Sequence, residues 1–154
     1  MTQPEVLAVL AVPDNKMLDT DIAYAAGFFD GEGCISIGKN GAVDIRITNT
    51  AKNVLVKFQK LFGGTIGNRT QKVNKTQYAY CVYGENAIEF IKILKPHLVE
   101  KLPQAETILE YYELRNNIQA VSIPGERGKF ANPDRDLLVQ VFRDILSEQK
   151  KDEH

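Results

Sequence analysis

The chain has 154 residues, of which 44% are hydrophobic and 25% are charged. These proportions are typical of one compact globular domain with a buried core, and a second domain is not expected. The longest apolar run, at positions 6–12, is far shorter than the roughly 20 residues of a membrane-spanning helix, so we expect an intracellular, soluble protein without a membrane partner. The net charge of −1 argues, by itself, against a nucleic-acid-binding protein, because a phosphate-binding surface normally shows an excess of Lys and Arg.

The two cysteines, Cys34 and Cys81, lie in runs where apolar and polar residues alternate. This pattern favours two reduced residues of β-strands over a disulfide framework. The cysteines lack the paired spacing of a zinc finger, and the two histidines, His97 and His154, are too few and too isolated for a histidine-metal centre. The sequence therefore argues against a disulfide-stabilised protein and against a zinc protein.

The first predicted element is a helix that begins at the capping and acidic residues 19–21 and ends near Phe29, where glycines follow. Acidic residues favour the first turn because the helix dipole places partial positive charge there. The residues before this helix, 1–18, are an N-terminal extension. We expect the rest of the chain, 19–154, to be a single domain.

A β-hairpin and a second helix are predicted next. Residues 34–37 and 43–47 alternate in polarity, so their β-branched side chains share one face, and a polar turn at 39–41 joins the two strands. Apolar residues then recur at helical spacing over 54–62, and the glycine pair at 63–64 ends that helix.

A second hairpin is predicted at 65–71 and 77–83, with a polar turn at 72–76, and a helix follows over about 86–94. The order helix, strand, strand, helix, strand, strand, helix contains the hairpin-plus-helix unit twice. The pattern therefore predicts a mixed α/β (α+β) domain with the order αββαββα.

Two more helices complete the predicted fold. Pro103 opens a long helix that carries apolar residues as far as Ile118, because proline is favoured in the first turn of a helix. After a loop at 125–133, Asn132 and Pro133 cap a last amphipathic helix. The predicted inward face of this helix consists of Leu137, Leu138, Val141, Phe142 and Ile145.

The near-neutral charge conceals a strong segregation. From Gly38 to Tyr83 there are eight basic residues and a single acid, a net of +7, while the rest of the chain has 11 basic and 19 acidic residues, a net of −8. The eight are Lys39, Arg46, Lys52, Lys57, Lys60, Arg69, Lys72 and Lys75. The two hairpins and the helix between them are therefore a candidate surface for a polyanion.

The polar residues of the hairpins are predicted to share the sheet face opposite the isoleucines. Arg suits guanine, Gln or Asn suits adenine, Lys at the turns suits phosphate, and a twisted antiparallel sheet can lie in the major groove of DNA. The alternative is an ordinary exposed sheet face. The net charge of +7, which is confined to this one region, favours a face that binds double-stranded DNA. The predicted DNA-binding residues are Ser36, Lys39, Asn40, Asp44, Arg46, Thr65, Arg69, Gln71, Lys72, Lys75, Gln77, Tyr78 and Tyr80.

Two acids lie at the end of the first helix. Asp30 and Glu32 follow unpaired helix carbonyls that already place about half a negative charge there, so these acids cost stability unless a cation arrives. Carboxylate and carbonyl oxygens at one place are hard ligands that suit Mg²⁺, which could hold a phosphate and activate water. The alternative is a helix end at which both acids are simply solvated.

The same helix carries a ridge of small residues. Ala23, Ala26, Gly27 and Asp30 recur at i, i+3, i+4 and i+7, so they lie on one face and would let a second helix approach closely. We expect this face to form an interface with a partner helix.

The segment Ala-Gly-Phe-Phe-Asp-Gly-Glu-Gly at 26–33 resembles the motif of the LAGLIDADG homing endonucleases. The likeness covers roughly 19–115, in the same order of helices and hairpins. It implies a saddle-shaped αββαββα fold, here with extra C-terminal helices, in which two motif helices cross and each delivers one metal-binding acid. A single motif in the chain implies a homodimer, because a duplex has two strands, and hence a partly palindromic target.

The resemblance also implies roles for individual residues. Glu32 falls at the position of the metal-binding carboxylate, with the Gly31 carbonyl beside it, and Asp30 is assigned to the cap and the interface. Asn49 falls where relatives order the water network, and Lys101 where they place a lysine near the scissile phosphate. Two alternatives stay open: Asn49 as a turn residue at a strand end, and Lys101 as a surface lysine of a loop.

The implied activity is site-specific cleavage of both strands of a long DNA target by Mg²⁺-dependent phosphodiester hydrolysis, with Mn²⁺ or Ca²⁺ as other occupants of the metal site. Two other functions stay open. One is a maturase-like protein of the same fold that binds DNA or RNA without cutting it. The other is a structural dimer that uses the helix only to associate. Genes of this family occur in mobile elements, so the host compartment could be a bacterial or phage cytoplasm or an organelle.

Overall fold

The computed structural model describes residues 17–70, 76–118 and 133–152. The elements are α1 (Asp19–Glu32), β1 (Gly33–Ile37), β2 (Val43–Asn49), α2 (Lys52–Phe62), β3 (Thr65–Thr70), β4 (Thr76–Tyr83), α3 (Gly84–Leu94), a 3-10 turn (Lys95–His97), α4 (Leu102–Asn117) and α5 (Pro133–Lys151). The predicted α+β class and the predicted order of helices and hairpins are confirmed. Within the described ranges, no helix combines the length and the apolar character needed to cross a membrane.

The four strands form one antiparallel sheet in the order β1-β2-β4-β3. Each predicted hairpin forms, because β1 pairs with β2 and β3 pairs with β4. The β2–β4 pair, in which Ile45 lies opposite Val82, joins the two hairpins. The second strand of each hairpin is therefore central, and the first strand of each is an edge.

One face of the sheet, the core face, is covered by helices. Ile35, Ile45 and Ile47 are completely buried on it. The Phe29 ring of α1 meets the Phe90 ring of α3 edge to face, with 5.1 Å between centroids, and burial of such a side chain contributes about 1.5–3 kcal/mol. The strand residues between the isoleucines, which alternate onto the opposite face, are half-buried or exposed. We call that face the open face.

The helices α4 and α5 hold the turn between β1 and β2. The buried Tyr111 of α4 donates its hydroxyl to the Gly41 carbonyl at 2.6 Å, and burial raises the pKa of this phenol. Gly41 has a φ of 86°, which side chains with a Cβ rarely adopt. A Cβ at this position would also lie 3.0 Å from the Tyr111 hydroxyl and 3.1 Å from Val139 of α5. The glycine is therefore required by both backbone geometry and packing.

The end of α1 differs slightly from the prediction. The helix continues past Phe29 to Glu32, so Gly31 and Glu32 are helical, and Gly33 forms the C-cap. A Cβ at Gly33 would overlap the Phe29 ring, so the close approach of β1 to α1 needs glycine there. At the other end, Leu18 is the N-cap without a side-chain cap, and the acids lie inside the first turn.

The predicted inward face of α5 is confirmed for Phe142, which is buried, and for Leu138, which packs against the core, but it is wrong for the other three residues. Leu137, Val141 and Ile145 are 64%, 43% and 38% exposed, whereas the buried residues are Val139, Phe142 and Leu146. The helix is rotated because it packs against both α4 and the turn at Gly41, and Phe142 meets the Tyr111 ring at 5.4 Å. Residues 1–16, the turn at 72–75 and the loop residues 125–132 lie outside the described residues.

The hydrogen bond to the Gly41 carbonyl gives a stability prediction. Tyr111→Phe should lower the free energy of unfolding by about 1–2 kcal/mol, because it leaves a buried carbonyl without its donor. Tyr112→Phe is the matched control, since the Tyr112 hydroxyl donates to Glu85 at 3.3 Å in an exposed position and its loss should cost less than about 0.5 kcal/mol. Equal urea midpoints for the two variants would contradict the role of Tyr111.

Candidate active site and nucleic-acid interface

Glu32 and Asn49 lie at the same end of the sheet. Glu32 is the exposed last residue of α1 and immediately precedes β1. Gly33 pairs with Ile47, so Asn49, two residues further along β2, extends past β1 toward the end of α1. The fold therefore places two residues that the sequence assigned to one active site at the same end of the sheet.

The carboxylate of Asp30 anchors the segment that leads into α4. Its Oδ2 accepts the backbone N–H groups of Val99 at 3.1 Å and Glu100 at 2.9 Å, and its Oδ1 accepts that of Lys101 at 2.8 Å. A carboxylate that accepts several N–H groups is a strong local constraint, because charge-assisted hydrogen bonds are stronger than neutral ones. Asp30 therefore fixes the position of Lys101 relative to the end of α1.

Lys101 is buried, with a relative exposure of 3%. Its ammonium donates to the backbone carbonyl of Asp30 at 2.9 Å, where a cation offsets the partial negative charge of the helix end. The alternative of a surface lysine on a loop is therefore wrong. The chemical role that the resemblance implies for Lys101 stays a prediction, and the structure places its side chain at the helix end that carries Glu32.

Asn49 forms a turn at the end of β2. Its Oδ1 accepts the backbone N–H of Ala51 at 2.9 Å, an arrangement that asparagine favours. The turn role is thus confirmed for the carbonyl oxygen. Among the described residues, the amide NH₂ has no recorded hydrogen-bond partner, so the turn does not prevent the predicted role in ordering water.

Few potential metal ligands lie close together in the part of the chain that the structure describes. Within the described residues, no group of three or more His, Cys, Asp or Glu side chains could hold a metal ion. The carboxylate of Glu32 and the helix-end carbonyls are hard oxygen donors of the kind that Mg²⁺ prefers. These donors fit a divalent ion provided that further ligands come from outside a single chain, such as a second protomer, a phosphate or water.

The small-residue face of α1 is partly as predicted. Ala23 and Gly27 are exposed, and so is Gly31 one turn further on. Ala26 is completely buried within the chain, so its prediction as an interface residue is wrong. The carboxylate of Asp30 is occupied by the three amides described above. The exposed small residues of α1 are therefore Ala23, Gly27 and Gly31, which recur at i, i+4 and i+8 and form a row along one side of the helix.

Several predicted DNA-binding residues do lie on the open face. Ser36 of β1 and Asp44 and Arg46 of β2 alternate with buried Ile and Val residues, and Gln77 of β4 alternates with core-facing residues of that strand. Arg46 lies 3.5 Å from Asp44, and this carboxylate, followed by the Cys81 thiol, raises the pKa of the guanidinium above its usual value. The open face therefore carries a fixed cation with donors available at its surface.

Tyr78 and Tyr80 do not belong to the open face. Tyr80 is completely buried, and its hydroxyl donates to the Gly63 carbonyl at 2.6 Å. Burial also raises the pKa of this phenol. Tyr78 packs against the same core, and the Lys52 ammonium lies 5.3 Å from its ring centroid. Successive strand residues point to opposite faces, so Tyr78 and Tyr80 could not share a face with Gln77.

The remaining predicted contacts lie at the turns and on β3. Lys39 and Asn40 are exposed, and the Asn40 Oδ1 accepts the Ala42 N–H at 3.0 Å within the turn. Thr65 is exposed and pairs with Cys81. The backbone of Arg69 pairs with that of Gln77. Gln71, Lys72 and Lys75 lie outside the described residues, so their contacts stay predictions.

Part of the predicted positive charge lies away from the open face. The lysines of α2 belong to the helix layer, since Leu55 and Phe58 of α2 pack on the core face. Lys57 pairs with Asp21 of α1 at 3.1 Å. Both cysteines are free, with Cys34 exposed and Cys81 half-buried. Sequence reasoning missed α5 as a neighbour of the open face: the Lys150 ammonium lies 3.6 Å from the Cys34 sulfur.

Comparison with known proteins identifies the family. A family model described as a LAGLIDADG-like domain matches residues 19–95, and the chain belongs to this family. It is 30% identical over 119 residues to the intron-encoded DNA endonuclease ai2b of Dictyostelium discoideum, covering 70% of this chain and 44% of that protein. The chain thus spans less than half the length of this curated relative.

Solved structures show the same fold. The homing endonuclease I-CvuI, in complex with its target in the presence of Ca, matches with a TM-score of 0.62 at 20% identity, over 84% of this chain and 82% of that chain. The archaeal intron-encoded homing endonuclease I-Vdi141I, complexed with DNA, matches with a TM-score of 0.51 at 19% identity, over 84% and 98% of the two chains. The predicted homing-endonuclease fold is confirmed.

The Asp30 anchor gives a second stability prediction. Asp30→Ala should lower the free energy of unfolding by about 2 kcal/mol, because the N–H groups of residues 99–101 lose a charged acceptor. Asp21→Ala is the control, since it removes an acid of the same helix that makes a surface ion pair with Lys57, worth less than about 1 kcal/mol. Denaturant titration of both variants measures their free energies of unfolding. A larger loss of stability for Asp21→Ala than for Asp30→Ala would contradict the role of Asp30.

Proposed function

We propose that this chain is a site-specific homing endonuclease, which acts as a homodimer and makes a double-strand break in a long, pseudo-palindromic DNA target by metal-dependent hydrolysis. The observation that carries this proposal is the exposed Glu32 carboxylate at the end of α1, beside an open sheet face that bears Arg46. Membership of the LAGLIDADG-like family supports it. Relatives described as DNA endonucleases and as DNA complexes support the substrate class.

The open face is suited to duplex DNA. Arg46 and Gln77 can donate to base edges, and Ser36 and Thr65 can bind either bases or phosphates. Lys39, exposed at the β1–β2 turn, is placed to contact the phosphate backbone. The target sequence is set by these residues together with DNA shape and bridging water.

The homodimer is supported by the exposed row of small residues on α1. A Cβ at Gly27 or Gly31 would meet nothing within 4 Å in the single chain. Glycine inside a helix costs about 1 kcal/mol relative to alanine, and packing within the chain does not offset that cost. Packing against the α1 helix of a second protomer at this row would offset that cost. By two-fold symmetry it would also bring the two Glu32 carboxylates close to one axis.

The chemistry rests on four residues. Glu32 and the Gly31 carbonyl are the ligands that this chain would contribute to a divalent ion. Mg²⁺, or Mn²⁺ or Ca²⁺ in its place, would supply charge neutralisation at the phosphate and a more acidic water. Lys101, oriented by the Asp30 carbonyl, stabilises the additional negative charge of the transition state. The NH₂ of Asn49 orients the attacking water.

The catalytic carboxylate gives a direct test. Glu32→Gln should reduce cleavage of a supercoiled plasmid that contains the host insertion site, in Mg²⁺, by at least about a hundredfold, since it removes a charged ligand but little volume. DNA affinity should be unchanged. Glu106→Gln, an exposed acid of α4, is the control and should cut like the wild type. A wild type that binds the duplex without cutting it would favour the maturase-like alternative.

The dimer gives an independent test. Gly27→Leu should leave the fold intact, because a Cβ there meets nothing within 4 Å, but it should block the close approach of two helices. Analytical ultracentrifugation should show a dimeric wild type and a monomeric variant. Glu110→Leu, an equally exposed helical position on α4, controls for added hydrophobic surface. A wild type that stays monomeric when saturated with duplex DNA contradicts the proposal.

A further inference from the structure

A depression lies between α5 and the edge strand β1, and apart from Ser36 its lining residues are outside the set that the sequence assigned to DNA. It has a volume of about 190 Å³. Typical small-molecule pockets are larger, roughly 300–1,000 Å³, so the depression suits a small group. Its lining residues are Ser36, Ile37, Arg143, Leu146, Ser147 and Lys150.

The polar lining is cationic and hydroxylic. Arg143 and Lys150 supply two positive charges, and Ser36 and Ser147 supply two hydroxyl groups. Among the described residues, no carboxylate forms an ion pair with either cation. The Lys150 ammonium instead lies 3.6 Å from Cys34 Sγ, and sulfur is a weak hydrogen-bond acceptor. Both cations thus retain the capacity to bind an anion.

Asp144 and Glu148 of α5 contact partners other than Arg143 and Lys150. Asp144 accepts a hydrogen bond from Gln140 at 3.0 Å, and Glu148 pairs with Lys151 at 3.0 Å. These residues follow one another at helical spacing on one side of α5. Residues 143, 147 and 150 recur at i, i+4 and i+7 and form a separate row. In this part of α5 the cationic row is turned toward β1, and Asp144 and Glu148 lie on a different side of the helix.

The cationic row is continuous with the open face. Ser36 lies on the open face and also lines the depression. Cys34, which contacts Lys150, pairs with Arg46 across the β1–β2 ladder. A duplex bound to the open face would therefore pass beside α5 at this edge, with its phosphate backbone closest to Arg143 and Lys150.

We propose that Arg143 and Lys150, together with the hydroxyls of Ser36 and Ser147, bind one phosphate of the DNA backbone at the edge of the duplex-binding surface. This inference rests on the proposed function for the identity of the ligand. Guanidinium and ammonium groups form strong charge-assisted hydrogen bonds with phosphate. The contact is independent of sequence, so it sets affinity and position rather than specificity.

The test is the salt dependence of binding to a non-specific duplex, measured in Ca²⁺ by fluorescence anisotropy. The double variant Arg143→Gln/Lys150→Gln should bind roughly tenfold more weakly at physiological salt, and the slope of log K against log salt should fall by about 1 for each protomer bound. The double variant Lys92→Gln/Lys151→Gln removes two charges that pair with Glu89 and Glu148. This control should keep the wild-type slope.

The outcomes separate this inference from the endonuclease function. A wild-type slope for Arg143→Gln/Lys150→Gln, in a protein that melts like the wild type and still cleaves its target, overturns the phosphate site alone. If the wild type cuts no target, but the double variant binds duplex DNA with the reduced salt slope, the endonuclease function is overturned and the phosphate site is supported. If inorganic phosphate competes with the duplex, but the double variant binds the duplex as the wild type does, the depression binds a free anion and the inference is overturned.

Discussion

The geometry at the end of α1 depends on one carboxylate. Asp30 accepts the N–H groups of three residues about 70 positions further along the chain, and its own carbonyl accepts the Lys101 ammonium. These bonds fix the start of α4 against the end of the helix that carries Glu32. Since α4 supplies Tyr111 to the β1–β2 turn and packs against α5, the orientation of both C-terminal helices relative to the sheet follows from this anchor.

The sheet separates stability from binding through simple alternation. Isoleucines at every second position bury one face against three helices, and their neighbours form the open face. A shift of one residue in register would exchange the two faces, and the buried side chains of β1 and β2 make such a shift costly. The open face can therefore vary in sequence with little effect on the core.

Local patterns predicted most of the fold, and long-range contacts explain what was missed. Alternation located both hairpins, and the motif located Glu32 at the helix end. Tyr78 and Tyr80 were misplaced because a tyrosine has both apolar and polar groups, so its residue type alone does not identify the face. The partners of Asp30 lie 69–71 residues away, beyond any local pattern. The rotation of α5 depends on the turn at Gly41, which a helical pattern considered alone does not include.

The net charge of a segment is a poor measure of a binding surface when the segment folds into an element with two faces. Three of the eight basic residues between Gly38 and Tyr83 are on α2, in the helix layer, so a net of +7 overstates the charge near the open face. The helix α5 has four basic and four acidic residues, a net of zero, yet it turns Arg143 and Lys150 toward β1. Because phosphate binding responds to charge within about one Debye length, roughly 8 Å at physiological salt, the charge of each face determines where a duplex can lie.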